Sequence, residues 1–436
     1  MRKTQKHKSL RFLVTVVMIG IFMATGTVEA AVNNGTVYSI STNEISGWPQ
    51  GPEVACETAV LMEAESGLVL YDKGMDELRY PASITKILTA LLAIENCSLD
   101  SQITFSETAV AAELVAGSST INMQVGEVIT VEDCLYGLMV QSANEVAVQL
   151  AETVSGTEAA FAELMNQRAA EIGCKNTHFT NASGLPDENH YTTAYDMALI
   201  FREALKNDTF REVIGTQTYY IPPTNMTATE RRLHTHHPLF AEESPEHYEG
   251  CIGGKSGSTE AAGKTLVTGA VQNGVTYLAV VMKGADMAPN CLDTTNLFNY
   301  GFQNFVKKQL NEGNVILPKG MTLEQLEKTE EQQEDGSTLI KYSLGAQYLG
   351  SEKKEIPQTE KKETKEEKKQ ESIAGEQSAD TNSGDSKVSK EEKISLTSIL
   401  LILMAALIIL MIVLLLALVR HDRKKKRRKK NRKRKI

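Results

Sequence analysis

Apolar positions along the chain follow two short periods, with an unbroken run near each end. Ala59-Val60-Leu61-Met62-Glu63-Ala64 and Leu68-Val69-Leu70-Tyr71-Asp72 flank Glu65-Ser66-Gly67, which predicts two strands around a glycine-containing turn. The run Ile87-Leu88-Thr89-Ala90-Leu91-Leu92-Ala93-Ile94 predicts a buried helix. Helical spacing returns at Leu135, Leu138, Met139, Ala143, Val146 and Leu150, opened by Thr130-Val131-Glu132-Asp133, whose spacing matches a capping box. Amphipathic helices are predicted over 158–172 and 193–205, strands over 265–271 and 275–283, and a closing helix over 294–308. Strands at both ends with helices between them predict an α/β domain over residues 53–309, in which distant segments share one sheet.

The two apolar runs at the ends are of a different kind. Arg2, Lys3, Lys6, Lys8 and Arg11 precede an uncharged stretch over 12–28, and Val28-Glu29-Ala30 offers a small-residue cleavage site. This is the pattern of a secretory signal peptide over 1–30, cut after Ala30. An uncleaved anchor is the competing reading, and the run is short for a span. From Ile394 to Val419 there is no charge, enough helix to cross a bilayer core of about 30 Å. Residues 420–436 then carry thirteen Lys/Arg against one Asp. That excess places the basic tail in the cytoplasm and everything before Ile394 outside. The expected product is a single-pass membrane protein with an extracytoplasmic catalytic domain.

Residues 31–52, rich in Gly, Ser, Thr and Asn, read as a leader. Residues 351–393, dominated by Glu, Lys, Gln and Ser, read as a disordered tether of roughly 35 Å mean span. Between them, 310–350 carries too little pattern to assign a fold, and 339–349 reads either as a strand pair or as part of the tether. The net charge of −9 conceals a division: the tail contributes +12 and residues 1–30 contribute +4, leaving −25 for 31–419. So acidic an exported part argues against nucleic acid as a partner. Cys56, Cys97, Cys134, Cys174, Cys251 and Cys291 all lie in that part. Export permits disulfides in fifteen full pairings. No C-x-x-C suggests zinc, and Cys134, inside an apolar helical pattern, reads as a buried thiol.

Candidate chemistry centres on Tyr80-Pro81-Ala82-Ser83-Ile84-Thr85-Lys86. Ser83 opens a helix and Lys86 stands three residues on, on the same face. The helix start supplies free N–H groups and a positive dipole end, and a desolvated lysine can serve as the base that activates a serine. Two further motifs follow in order: Ser142-Ala143-Asn144 and Lys255-Ser256-Gly257. Singly, each has an ordinary reading: a helix cap, polar helix surface, a charge at a strand end. Together, S-x-x-K, S-x-N and K-S-G form the serine–lysine set of β-lactamases and penicillin-binding proteins, with Ser256 where Thr is usual.

The longer strings narrow this further. Gln141-Ser142-Ala143-Asn144-Glu145-Val146-Ala147, Thr177-His178-Phe179-Thr180-Asn181-Ala182-Ser183-Gly184-Leu185, His190, Thr193-Ala194-Tyr195-Asp196 and Gly254-Lys255-Ser256-Gly257-Ser258-Thr259-Glu260-Ala261-Ala262-Gly263 resemble the D-alanyl-D-alanine carboxypeptidases among the low-molecular-mass penicillin-binding proteins. The resemblance implies a β-lactamase/transpeptidase-like domain, mainly antiparallel sheet flanked by helices. It implies that Ser83 attacks the penultimate D-alanine of a peptidoglycan stem peptide, with Lys86 as base and Ser142 as proton relay. By the same likeness, Asn144 holds substrate and Lys86, Lys255 and Ser256 grip the terminal carboxylate, and Gly257 lets the strand approach. The N–H groups of Ser83 and Ser258 then form an oxyanion hole. No cofactor or metal is implied, and β-lactam antibiotics should acylate Ser83. A departure is Leu233-His234-Thr235-His236-His237, read as an exposed loop rather than a metal site. Many relatives also carry a β-rich second domain, which reads here as truncated or absent. The alternatives are a β-lactamase, for which the only E-x-x-x-N spacing between Asn144 and Lys255 is Glu203 to Asn207, and a non-catalytic wall-binding scaffold.

Overall fold

The computed structural model describes residues 35–112 and 119–354. The signal peptide, the spanning segment from Ile394 to Val419, the basic tail and all but the start of the tether lie outside them. Among the described residues no helix is long and apolar enough to cross a membrane.

The predicted hairpin forms as β1 (Thr58–Glu63) and β2 (Val69–Lys73), paired antiparallel. A 3-10 turn, Ala82–Thr85, leads directly into α1 (Lys86–Asn96). Then come β3 (Gln102–Thr104), α2 (Glu107–Ala111), β4 (Val128–Thr130), α3 (Val131–Met139), α4 (Asn144–Ser155), α5 (Glu158–Ile172), α6 (Ala194–Ala204) and α7 (Asp208–Ile214). A small hairpin of β5 (Thr218–Ile221) and β6 (Arg231–His234) precedes the long strands β7 (Cys251–Thr259), β8 (Gly263–Gln272) and β9 (Val275–Gly284). Helix α8 (Met287–Asn304) follows. The main sheet runs β2-β1-β9-β8-β7, so the first and last strands of the domain share one antiparallel sheet, with β7 at its edge.

That sheet is buried on both faces. Val60 and Met62 face a core shared with α1, α3 and α4, whereas Ala59 and Leu61 face a second core shared with Leu297 and Phe298 of α8. Alternating strand residues therefore serve different cores. Helix α1 is buried along Lys86–Ala93, as expected of a helix apolar all round.

Five readings of the chain are corrected. The helix predicted from Val131 through Leu150 is two helices, broken at Ser142, whose φ is 64°; its capping box at Thr130 and Asp133 does form. The closing helix starts earlier, at Met287, and stops at Asn304, because Phe305–Leu310 is a strand. That strand, β10, opens a second five-stranded antiparallel sheet with β11 (Gly313–Pro318), β12 (Glu327–Gln332), β13 (Thr338–Leu344) and β14 (Gln347–Lys354), in the order β10-β11-β14-β13-β12. The boundary at 309 thus cuts β10, and the stretch read as tether from 351 begins inside β14. A β-rich second sheet is present where a second domain was read as truncated or absent, and it shares a core with α8 and the first sheet. Its edge strand β12 hid because it is exposed throughout and contains no apolar residue. Its pairing with β13, not its own pattern, makes β12 a strand.

Candidate active site

Ser83 lies in the 3-10 turn, not at a regular α-helical start, and the residue before it is in a left-handed conformation: Ala82 has φ 52°. A non-glycine residue in that region costs of order 1 kcal/mol and persists only when neighbours hold it. The neighbours are a loop over 180–185. Gly184 packs against the Ala82 carbonyl so closely that a Cβ there would overlap its oxygen. Thr89 Oγ1 donates to Ala182 O at 2.7 Å.

Lys86 is the first residue of α1 and fully buried. Its Nζ lies 2.7 Å from Asn144 Oδ1, 2.7 Å from the Ser183 carbonyl and 3.1 Å from Ser83 Oγ. A neutral amine has two N–H donors and one lone pair. Two acceptors that can only accept take both hydrogens, so the lone pair faces the serine hydroxyl. Burial, and after it the charge of Lys255, holds the Lys86 pKa well below the usual lysine range, with Glu145 opposing. The lowered pKa favours the neutral amine, and for that form these contacts suit a base.

Asn144 is carried at the start of α4, just past the break at Ser142, and its N–H donates to Ser119 O at 2.8 Å. Ser142 is buried in the same break. Without it, one continuous helix would turn residues 142 and 144 to different sides (about 100° per residue). Lys255, Ser256, Gly257 and Ser258 lie on the edge strand β7. Lys255 is 3 % exposed, donates to Ser256 O at 2.8 Å, and is pushed down to about 7 by burial. A Cβ on Gly257 would stand 2.9 Å from Ser83 N, so only glycine lets β7 lie this close to the nucleophile's turn. Ser258 Oγ accepts from Lys264 Nζ at 2.9 Å.

Sequence reasoning missed several supports. The Ser183 carbonyl is a backbone group and leaves no residue-type signal. Its turn does: Asn181 Oδ1 accepts N–H bonds from Ser183, Gly184 and Leu185, an Asx-type turn foreshadowed by Asn181-Ala182-Ser183-Gly184. Glu145 is buried and accepts from Thr120 Oγ1 at 2.6 Å and Ile121 N at 2.7 Å. His190 Nδ1 accepts from Thr180 N at 3.1 Å, so its Nε2–H faces Thr85 Oγ1 at 2.9 Å. Burial holds it neutral, near a pKa of about 3. His237 is a correction to the exposed-loop reading: it is buried, with Nε2 3.2 Å from Val267 O and 3.1 Å from Thr268 Oγ1. Among the described residues no group of His, Cys, Asp or Glu is arranged to hold a metal ion. Glu203, the β-lactamase candidate, is instead ion-paired with Lys206 and Arg168.

Comparison with known proteins agrees with this geometry. Residues 46–286 match the family described as D-alanyl-D-alanine carboxypeptidase. The chain is 31% identical over 314 residues to the D-alanyl-D-alanine carboxypeptidase DacF of Bacillus subtilis, covering 71% of this chain and 76% of that one. It is 32% identical over 301 residues to a D-alanyl-D-alanine carboxypeptidase of Streptomyces, covering 67% and 98%. Among solved structures, a Streptomyces DD-transpeptidase superposes with a TM-score of 0.54 at 30% identity, over 58% of this chain and all (100%) of that one. Penicillin binding protein 6B of Escherichia coli superposes with a TM-score of 0.60 at 24% identity, over 71% and 98%, a likeness of fold.

Proposed function

The chain belongs to the D-alanyl-D-alanine carboxypeptidase family and is a serine-type hydrolase of that class; from this premise we propose that it works through an acyl-enzyme on Ser83. The observation that carries the reading is the buried Lys86 Nζ, within 2.7 Å of Asn144 Oδ1 and the Ser183 carbonyl and 3.1 Å from Ser83 Oγ; in the neutral amine the first two contacts occupy both hydrogens and leave the lone pair for Ser83. Lys86 takes the Ser83 proton as Oγ attacks the carbonyl carbon of the penultimate D-alanine of a stem pentapeptide. The developing oxyanion is received by the N–H groups of Ser83 and Ser258. The proton passes from Lys86 through Ser142 to the leaving nitrogen, and terminal D-alanine departs. Water then adds to the ester, with Lys86 again as base, and frees Ser83.

Specificity for a chain terminus follows from Lys255 and Ser256. A lysine that ionises near pH 7 when empty is held protonated by a substrate carboxylate, a charge-assisted contact. A β-lactam carries the same carboxylate beside an acyl bond, and acylates Ser83 by the same route. Acting outside the cell, tethered through the segment from Ile394 to Val419, the enzyme shortens pentapeptide stems and so limits cross-linking.

The test uses the full-length protein in detergent. It is incubated with penicillin and, separately, with a peptide ending in D-Ala-D-Ala, and both are followed by mass spectrometry. A slowly decaying adduct on Ser83 with loss of one alanine supports the reading. Rapid penicillin hydrolysis without an adduct would instead support the β-lactamase, and no reaction with either the scaffold.

A further inference from the structure

The strand next to the edge strand is joined to the turn of the nucleophile by a contact that neither motif contains. Thr265 on β8 is fully buried, and its hydroxyl donates to the Pro81 carbonyl at 2.9 Å across 184 positions of chain. Pro81 directly precedes the left-handed Ala82 and the 3-10 turn bearing Ser83. Thr265 is paired with Gly257 on β7, and the absent Gly257 side chain is what leaves room for the Thr265 hydroxyl, Ser83 N and Pro81 O together. The pairing of β8 with β9 is irregular between Lys264 and Leu266, and such irregularities re-aim the side chain they contain.

We propose that Thr265 is a positioning residue for acyl transfer, its hydroxyl holding the Ser83 turn at a fixed height against β7. The turn is then gripped on two sides: by Thr265 at the Pro81 carbonyl and by Gly184 at the Ala82 carbonyl. The two oxyanion donors sit on the turn that Thr265 holds, Ser83, and on the strand β7 paired with Thr265's own strand, Ser258. Such donors act only within a few tenths of an ångström of the ideal distance. A shift of about 1 Å can cost on the order of a hundredfold in rate. Losing the tie therefore slows chemistry and leaves the carboxylate grip of Lys255 and Ser256 intact.

This inference rests on Ser83 being the nucleophile. The full-length wild type, Thr265→Val and Thr265→Ser are mixed with a series of penicillin concentrations, and adduct formation at Ser83 is timed by mass spectrometry. The limiting acylation rate is separated from the half-saturating concentration, and the melting temperature is recorded. Thr265→Val is expected to lower the limiting rate about ten- to a hundredfold with half-saturation unchanged, and Thr265→Ser to restore it to within a few-fold. An undiminished rate in Thr265→Val, a Thr265→Ser as slow as the valine variant, or a loss confined to half-saturation would each overturn it. If Thr265→Val does not fold, Thr265→Ala is read in the same way. No adduct at Ser83 in the wild type would bring down the acyl-enzyme reading itself and this one with it.

Discussion

The two five-stranded sheets are both antiparallel, yet they are built on opposite principles. The first, β2-β1-β9-β8-β7, has a core on each face, and the middles of β8 and β9 are buried without interruption. The second, β10-β11-β14-β13-β12, buries successive residues only along β11 and the middle of β14, and its burial thins toward β12. Val315, Leu317, Ile340, Tyr342 and Leu349 join the core under α8, whereas β12 presents only exposed residues. A sheet covered on both sides can hold an edge strand such as β7 to within the tolerance acyl transfer requires. A sheet whose burial thins to a wholly exposed edge strand can dock, and is poorly suited to hold a reacting group. The site sits where the packing is two-sided.

Perturbations should separate the sheets accordingly. Lys86→Ala removes the base, and acylation of Ser83 is expected to fall toward the upper end of about 10²–10⁴-fold, measured as adduct formation with penicillin. A normal rate would remove Lys86 from the mechanism. Gly184→Ala is next. A Cβ there overlaps the Ala82 carbonyl and stands 2.9 Å from Thr85 Oγ1, at a φ of 85°, so the Ser83 turn must shift. Acylation should drop on the order of a hundredfold, together with a lower melting temperature; an unchanged rate would show that the turn tolerates displacement.

The third test is pH. Lys86 must be neutral and its pKa is lowered, so kcat/KM rises with pH through that lowered value. Lys255 must be protonated to hold a carboxylate and ionises at about 7 in the free enzyme, so kcat/KM falls above that. The slope should approach about tenfold per pH unit (the limit for one lost proton). Because bound carboxylate keeps Lys255 protonated, kcat should keep its plateau to higher pH than kcat/KM. Identical alkaline limbs for the two parameters would argue against Lys255 as the carboxylate site. The smallest effect on catalysis is expected in the second sheet. Leu349→Ala empties a fully buried position and should cost about 2–5 kcal/mol of stability, read by urea unfolding. The folded fraction should acylate at the wild-type rate. A large loss of rate would mean the second sheet is coupled to the site.

How much was legible in advance depended on how local the signal was. The hairpin of β1 and β2, helix α5 and the capping box at Thr130 follow from spacing within a dozen residues, and they form much as spacing predicts. The motif residues Ser83, Lys86, Asn144 and Lys255 could be picked out by type and order, and two contacts, Lys86 with Ser83 and with Asn144, bring three of them together. The break at Ser142 could not be read, because apolar spacing continues across it. What makes it a break is a left-handed φ at Ser142, beside which the Ala143 N–H donates to Gly137 O and the Asn144 N–H to Ser119 O.

Local periodicity and residue type alone, then, determined that the chain carries a serine, a lysine and a strand-borne lysine in a fixed order on elements of known kind. Only tertiary structure decided what makes them a site. The Ser183 carbonyl reaches Lys86 across 97 positions, and the Thr265 hydroxyl reaches Pro81 across 184. The Lys86 pKa is lowered by burial and by Lys255 on β7 rather than by its neighbours in sequence. The physical reason is the same in each case. Propensity and periodicity act over a few residues, whereas desolvation and hydrogen-bond satisfaction are properties of a packed interior.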